Sequence, residues 1–217
     1  MNDWLVDRPA GKPLARFLFA HGAGAPMDSD FMDALSGALC GHGIEVVRFE
    51  FPYMVERRES GKRRPPNPMP QLQEAFLAQV DHWLEKEDGL PLFIGGKSMG
   101  GRVASLMADA CFAKGQIRGL VCLGYPFHPQ GKPERLRTEH LEELQCPTLI
   151  VQGTRDPLGS AGEVAGYSLS GQIALGWLED GDHDFKPRKV SGFTREAHWQ
   201  AAAERVAGFI REQLRES

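Results

Sequence analysis

Three residues far apart in the chain, Ser98, Asp156 and His183, are of the types that together perform nucleophilic acyl transfer. A serine hydroxyl becomes a useful nucleophile when an imidazole takes its proton, and a carboxylate holds that imidazole in the required tautomer. Ser98 stands at the centre of Gly96-Lys97-Ser98-Met99-Gly100, which fits Gly-x-Ser-x-Gly, the strained turn between a parallel strand and a helix. A serine pushed out of such a turn crowds backbone against its neighbours, and glycines occupy 95, 96, 100 and 101. At a helix N-terminus, the N–H of Met99 and the helix dipole would face an oxyanion forming beside Oγ. A second donor is expected from the N–H of Ala23 or Gly24, in the glycine-rich stretch His21-Gly22-Ala23-Gly24-Ala25-Pro26. Asp156 follows Gly153-Thr154-Arg155, and His183 lies in Asp180-Gly181-Asp182-His183-Asp184. Asp180, Asp182 and Asp184 are rival acids, although the two that flank His183 are poorly placed to reach its ring.

Other readings of the same letters fail on spacing. A phosphate-binding loop ending in Gly96-Lys97-Ser98 needs a glycine at 91, where the chain has Pro91. A dinucleotide fingerprint begun by Gly22 and Gly24 needs a glycine at 27, which is Met27. The seven histidines show no paired metal-ligand spacing, so no metal is expected, and no other cofactor is called for. His21 reads as a structural hydrogen-bonding residue rather than a second base. Cys40, Cys111, Cys122 and Cys146 are scattered in or beside apolar segments and read as reduced core thiols.

Positioning these residues requires alternating strands and helices. Strands are expected over 14–20, 44–51, 91–97, 117–124, 147–153 and 172–178, with amphipathic helices over 28–40, 72–84, 99–112 and 195–214 and a short one over 138–145. Residues 52–70, rich in proline and charge, read as a loop, as do 125–137. Such alternation implies a doubly wound, mostly parallel sheet of about six strands with helices on both faces, in a single domain over 1–217. In a sheet of this kind ligands bind beyond the carboxyl ends of the strands. Ser98, Asp156 and His183 each fall in a segment that follows a strand.

The order serine, acid, histidine, carried by Gly-Lys-Ser-Met-Gly at 96–100, Gly-Thr-Arg-Asp at 153–156 and Gly-Asp-His at 181–183, resembles the α/β-hydrolase superfamily over nearly the whole chain. Phe19-Ala20-His21-Gly22-Ala23-Gly24-Ala25 and Gly95-Gly96-Lys97-Ser98-Met99-Gly100-Gly101-Arg102 look like a small branch of it. That branch includes the hydrolase-like domains of a testis-expressed protein and of a subunit of the NSL histone acetyltransferase complex. It is similar to dienelactone hydrolases and small carboxylesterases, but serine stands here where dienelactone hydrolases carry cysteine. The resemblance implies an α/β-hydrolase fold without a lid, residues 125–137 being too few to form one. The first strands of the full fold are hardly visible before Leu14.

The expected activity is cleavage of a small carboxylic ester or thioester through an acyl-Ser98 intermediate, with Asp156 and His183 completing a catalytic triad. An amidase or peptidase would use the same residues, and the resemblance to a chromatin-complex subunit admits a non-catalytic scaffold. A formal charge of −4 argues against nucleic acid as a partner. No apolar run approaches the ~20 residues of a membrane span. The opening Met1-Asn2-Asp3-Trp4-Leu5-Val6-Asp7-Arg8 does not read as a signal peptide, so a cytoplasmic location is expected. Arg57, Arg58, Arg63 and Arg64, with Lys186 after His183, are expected to rim the active face and to attract an anionic acyl substrate; the alternative is a solvated basic loop without selectivity.

Overall fold

Side chains of the inner strands alternate between two apolar layers, as the two-residue period of a strand requires when both faces are covered. In β2 (Ala15–Ala20), Leu18 and Ala20 enter one core while Phe17 and Phe19 enter the other. The neighbouring β3 (Ile44–Phe49) repeats the division, with Val47 and Phe49 against Ile44 and Val46. These assignments come from a computed structural model, which describes residues 4–215. The opening Met1, Asn2 and Asp3 and the last two residues of the expected 1–217 domain lie outside the described residues.

The sheet has seven strands where about six were expected, in the order β1-β3-β2-β4-β5-β6-β7. The others are β4 (Leu92–Lys97), β5 (Gly119–Leu123), β6 (Thr148–Gly153) and β7 (Ile173–Leu178), all parallel to their neighbours. The addition is β1 (Leu5–Asp7), which pairs antiparallel with β3, Val6 opposite Val47. Three half-buried residues on an edge leave no apolar run to read. One face is covered by α1 (Asp30–Gly41) and α7 (Arg195–Gln213). Against the other pack α2 (Pro52–Ser60), α3 (Met69–Leu84), α4 (Met99–Ser105) and α5 (Ala108–Ala113), joined by the short α6 (Ala161–Val164). Among the described residues no helix is long and apolar enough to cross a membrane.

Three expected segments are corrected. Residues 52–70 are not all loop, because Pro52 begins α2 at the first helical position, where its missing N–H costs nothing, and Gly61 at φ 68° ends it. The helix expected over 99–112 is broken into α4 and α5. At the break the Ser105 hydroxyl donates to the Arg102 carbonyl at 2.8 Å, competing with the backbone for that acceptor. The short helix expected over 138–145 is reduced to a single 3-10 turn, Glu139–Leu141.

From β2 the chain passes outward through α1 to β3, then crosses back through α2 and α3 to β4 on the other side of β2. The direction of winding therefore reverses between β2 and β4. At such a switch point the loops after the two strands part and leave a crevice at their carboxyl ends. The loop after β2 carries Ala23 and Gly24, and β4 runs directly into Ser98.

Candidate active site

Ser98 holds φ 51° and ψ −114°, a conformation costing a non-glycine residue about 1–3 kcal/mol. Its N–H donates to the Leu123 carbonyl at 2.9 Å, and its carbonyl accepts from Arg102 N–H at 3.0 Å, so strand and helix both hold the turn. The glycines around it are required sterically. A Cβ on Gly96 would lie 2.5 Å from the Gly100 carbonyl carbon, one on Gly100 2.6 Å from the Ala20 oxygen, and one on Gly95 1.9 Å from the Val121 oxygen.

The structure brings Ser98, His183 and Asp156 into one hydrogen-bonded line. His183 Nε2 is 2.9 Å from Ser98 Oγ, and His183 Nδ1 is 2.8 Å from Asp156 Oδ2. Asp156 is wholly buried after β6, and its carboxylate is fixed from two further directions. Leu158 N–H donates to Oδ1 at 2.8 Å and Gln152 Nε2 to Oδ2 at 3.0 Å. Gln152, itself buried, also donates to the carbonyls of Tyr125 and Gly159 and accepts from Tyr125 N–H at 2.7 Å. The rival acids are otherwise engaged. Asp180 pairs with Arg188 and Arg155, Asp182 accepts from the N–H groups of Asp184 and Lys186, and Asp184 pairs with Lys97 at 3.3 Å. The turn bearing His183 is tied to α7, where His198 Nδ1 donates to the Phe185 carbonyl and Trp199 Nε1 to that of Asp184.

Beside the serine, the carbonyls of Gly22, Ala23 and Gly24 are each held by a side chain. His21 Nδ1 donates to Gly22 O at 2.7 Å, Tyr53 Oη to Ala23 O at 3.0 Å and Arg57 to Gly24 O at 3.1 Å. In a trans peptide unit the N–H opposes the carbonyl. Anchoring the Gly22 and Ala23 carbonyls to His21 and Tyr53 turns the N–H groups of Ala23 and Gly24 away from those side chains, and neither has a partner, nor does the N–H of Met99, among the described residues. Tyr53 carried no signal in the sequence, because its role depends on α2, which read as loop. His21 is fully buried between Gly22 O and the N–H of Phe51, and burial holds its imidazole below the usual histidine value, consistent with a neutral structural group.

Two cavities meet at Ser98. One, of about 350 Å³, is lined by His183, Lys97, Phe31 and Met32; the other, of about 500 Å³, by Met69, Leu72, Met99, Arg102 and Arg137. Arg57, Arg58, Arg63, Arg64 and Lys186, expected to rim the site, line neither. Arg58 is neutralised by Asp28 and Glu50, Arg64 pairs with Glu56, Arg57 serves the Gly24 carbonyl, and Arg63 and Lys186 are exposed. Lys97 is buried beneath the turn of His183, 5.3 Å from the Phe31 ring, and burial pulls its ammonium below the usual lysine value. No cluster of three or more metal-ligating side chains occurs among the described residues.

A family model described as an alpha/beta hydrolase domain matches residues 13–211. Among solved structures, a dienelactone hydrolase from Anabaena variabilis is 20% identical, with a TM-score of 0.72 over 96% of this chain and 90% of its own. Est1E from Butyrivibrio proteoclasticus is 17% identical, with a TM-score of 0.69 over 98% and 94% of the two chains. XC6422 from Xanthomonas campestris, described as a serine hydrolase without a lid, is 20% identical, with a TM-score of 0.65 over 99% and 88%. At these identities the likeness is one of fold.

Proposed function

The chain belongs to the α/β-hydrolase domain family, and on that premise we propose that it is a serine hydrolase cleaving a small carboxylic ester or thioester through an acyl-Ser98 intermediate. The observation that carries this reading is the line from Ser98 Oγ through His183 to buried Asp156, with contacts of 2.9 and 2.8 Å. In this mechanism Oγ attacks the acyl carbon while His183 Nε2 takes its proton, and Asp156 holds Nδ1 protonated and stabilises the imidazolium. The N–H of Met99, with that of Ala23 or Gly24, receives the oxyanion. As the tetrahedral adduct collapses, the bond to the leaving oxygen or sulfur breaks and His183 returns the proton to it. Water then repeats the sequence on the acyl-serine and releases the acid.

Similarity in fold to a dienelactone hydrolase is what supports an ester rather than an amide as the substrate in this reading. A scaffold has no need of Gln152 and Leu158 holding the acid, or of carbonyls tied down beside the serine so that the neighbouring N–H groups stay unpaired. A fluorophosphonate probe separates the readings. Labelling of the wild-type protein that is lost in Ser98→Ala supports the hydrolase, and a folded wild-type protein that takes no label overturns it.

A further inference from the structure

The leaving group must exit beside His183 Nε2, which donates its proton. Of these two cavities, the smaller is lined by His183 and the larger is not, so the larger falls to the acyl portion. Its apolar wall, Met69 and Leu72, suits a short alkyl chain, but Arg102 and Arg137 also line it. Neither guanidinium has a carboxylate within ion-pair distance among the described residues, and Arg102 Nε is buried without a hydrogen-bond partner. Two cations left together and half-buried are unfavourable until an anion joins them. Burial first, and then the nearby charge of Arg102, push Arg137 below the usual arginine value, opposed by the Tyr125 hydroxyl and by no carboxylate.

We propose that Arg102 and Arg137 receive a carboxylate at the far end of the acyl chain, which makes the preferred substrates hemiesters of dicarboxylic acids. The orientation rests on the ester-cleaving reading above; the anion site does not. Hydrolysis would add one water across the ester bond and release the alcohol and the dicarboxylate, with no other reactant. The geometry replaces the basic residues of 57–64 as the source of anion selectivity, since those are neutralised or outside the cavities.

The test compares monoethyl adipate with ethyl hexanoate, which differ by the terminal carboxylate. Calorimetry on Ser98→Ala is expected to show the hemiester binding about tenfold or more tightly, the size of a charge-assisted contact. Adding Arg137→Gln is expected to abolish that preference, and Arg137→Lys to restore part of it. In the wild-type enzyme kcat/KM should favour the hemiester by a similar factor, falling as salt is added. Equal binding of the two esters, or a preference that survives Arg137→Gln, overturns the anion site and leaves the hydrolase reading untouched. If Ser98→Ala prefers the hemiester but the wild-type protein turns over neither ester, the anion site stands and the esterase reading falls.

Discussion

Gln152 is a buried side chain that ties the catalytic-site acid Asp156 to the backbones of Tyr125 and Gly159. Its amide nitrogen serves Asp156, Tyr125 O and Gly159 O, and its oxygen serves Tyr125 N–H. In Gln152→Leu the buried Tyr125 N–H loses its acceptor and Asp156 loses a donor, so urea titration should show a loss of about 1–3 kcal/mol. A purely structural defect would stop there. A positioning role predicts that kcat also falls on the order of tenfold with KM little changed, since only the aim of the imidazole is disturbed. Lys97 offers a test by pH. Burial lowers its folded value below the 10.5 of an exposed lysine, against the pull of Asp184 and Asp156. Between those values the unfolded chain binds more protons than the native one, so stability gains with rising pH. Relative to Lys97→Met, the wild-type protein should therefore become progressively more stable as the pH rises toward 10.5. A difference independent of pH across that range would show that Lys97 titrates as an exposed lysine.

At the scale of elements, the turn from β4 to α4 is set by space more than by bonds. In Gly100→Ala the new Cβ would lie 2.6 Å from Ala20 O and 2.7 Å from His21 O, backbone atoms that cannot swing aside. We expect a loss above about 4 kcal/mol or failure to fold, seen as a collapsed Tm. Gly37→Ala, on the exposed side of α1 with nothing within 4 Å of the new Cβ, should instead raise stability by about 0.5–1 kcal/mol. This contrast also explains what could be read in advance. Close approach writes itself as glycine, so the strand, the elbow and the start of the helix were legible, though not the break after Ser105, and Asp156 and His183 were legible from the strands before them. The helix α2 was hidden because a proline opens it, charge dominates its latter half, and only Tyr53 and Met54 are buried. That two residues as distant in sequence as Arg102 and Arg137 share a cavity wall is a product of packing, and no local pattern encodes it.

Across the whole molecule, the reactive groups lie at one end of the sheet and the buried Arg16–Glu45 pair lies near the other. Ser98, Asp156 and His183 follow the carboxyl ends of β4, β6 and β7. Near the other end, Arg16 on β2 lies in register with Glu45 on β3 and contacts it at 2.5 Å, both side chains 4% exposed. The guanidinium also meets Asp88 at 2.5 Å and lies 4.4 Å from the Trp83 ring centroid, so it ties two strands to the end of α3. Removing one partner of a buried pair leaves the other charge uncompensated, a cost of about 3–5 kcal/mol. Asp88 remains beside Arg16, which places Glu45→Ala near the lower figure. Along β2 the distance from Arg16 to the loop after Ala20 is roughly 13 Å at the usual strand rise. Over such a span perturbations are nearly independent. Glu45→Ala should therefore unfold at markedly lower urea while the folded fraction keeps kcat within about twofold, the reverse of Gln152→Leu, which loses activity beyond its loss of stability. A collapse of kcat in folded Glu45→Ala would mean that strain at the amino end of the sheet reaches the serine turn, and that the two ends are mechanically one.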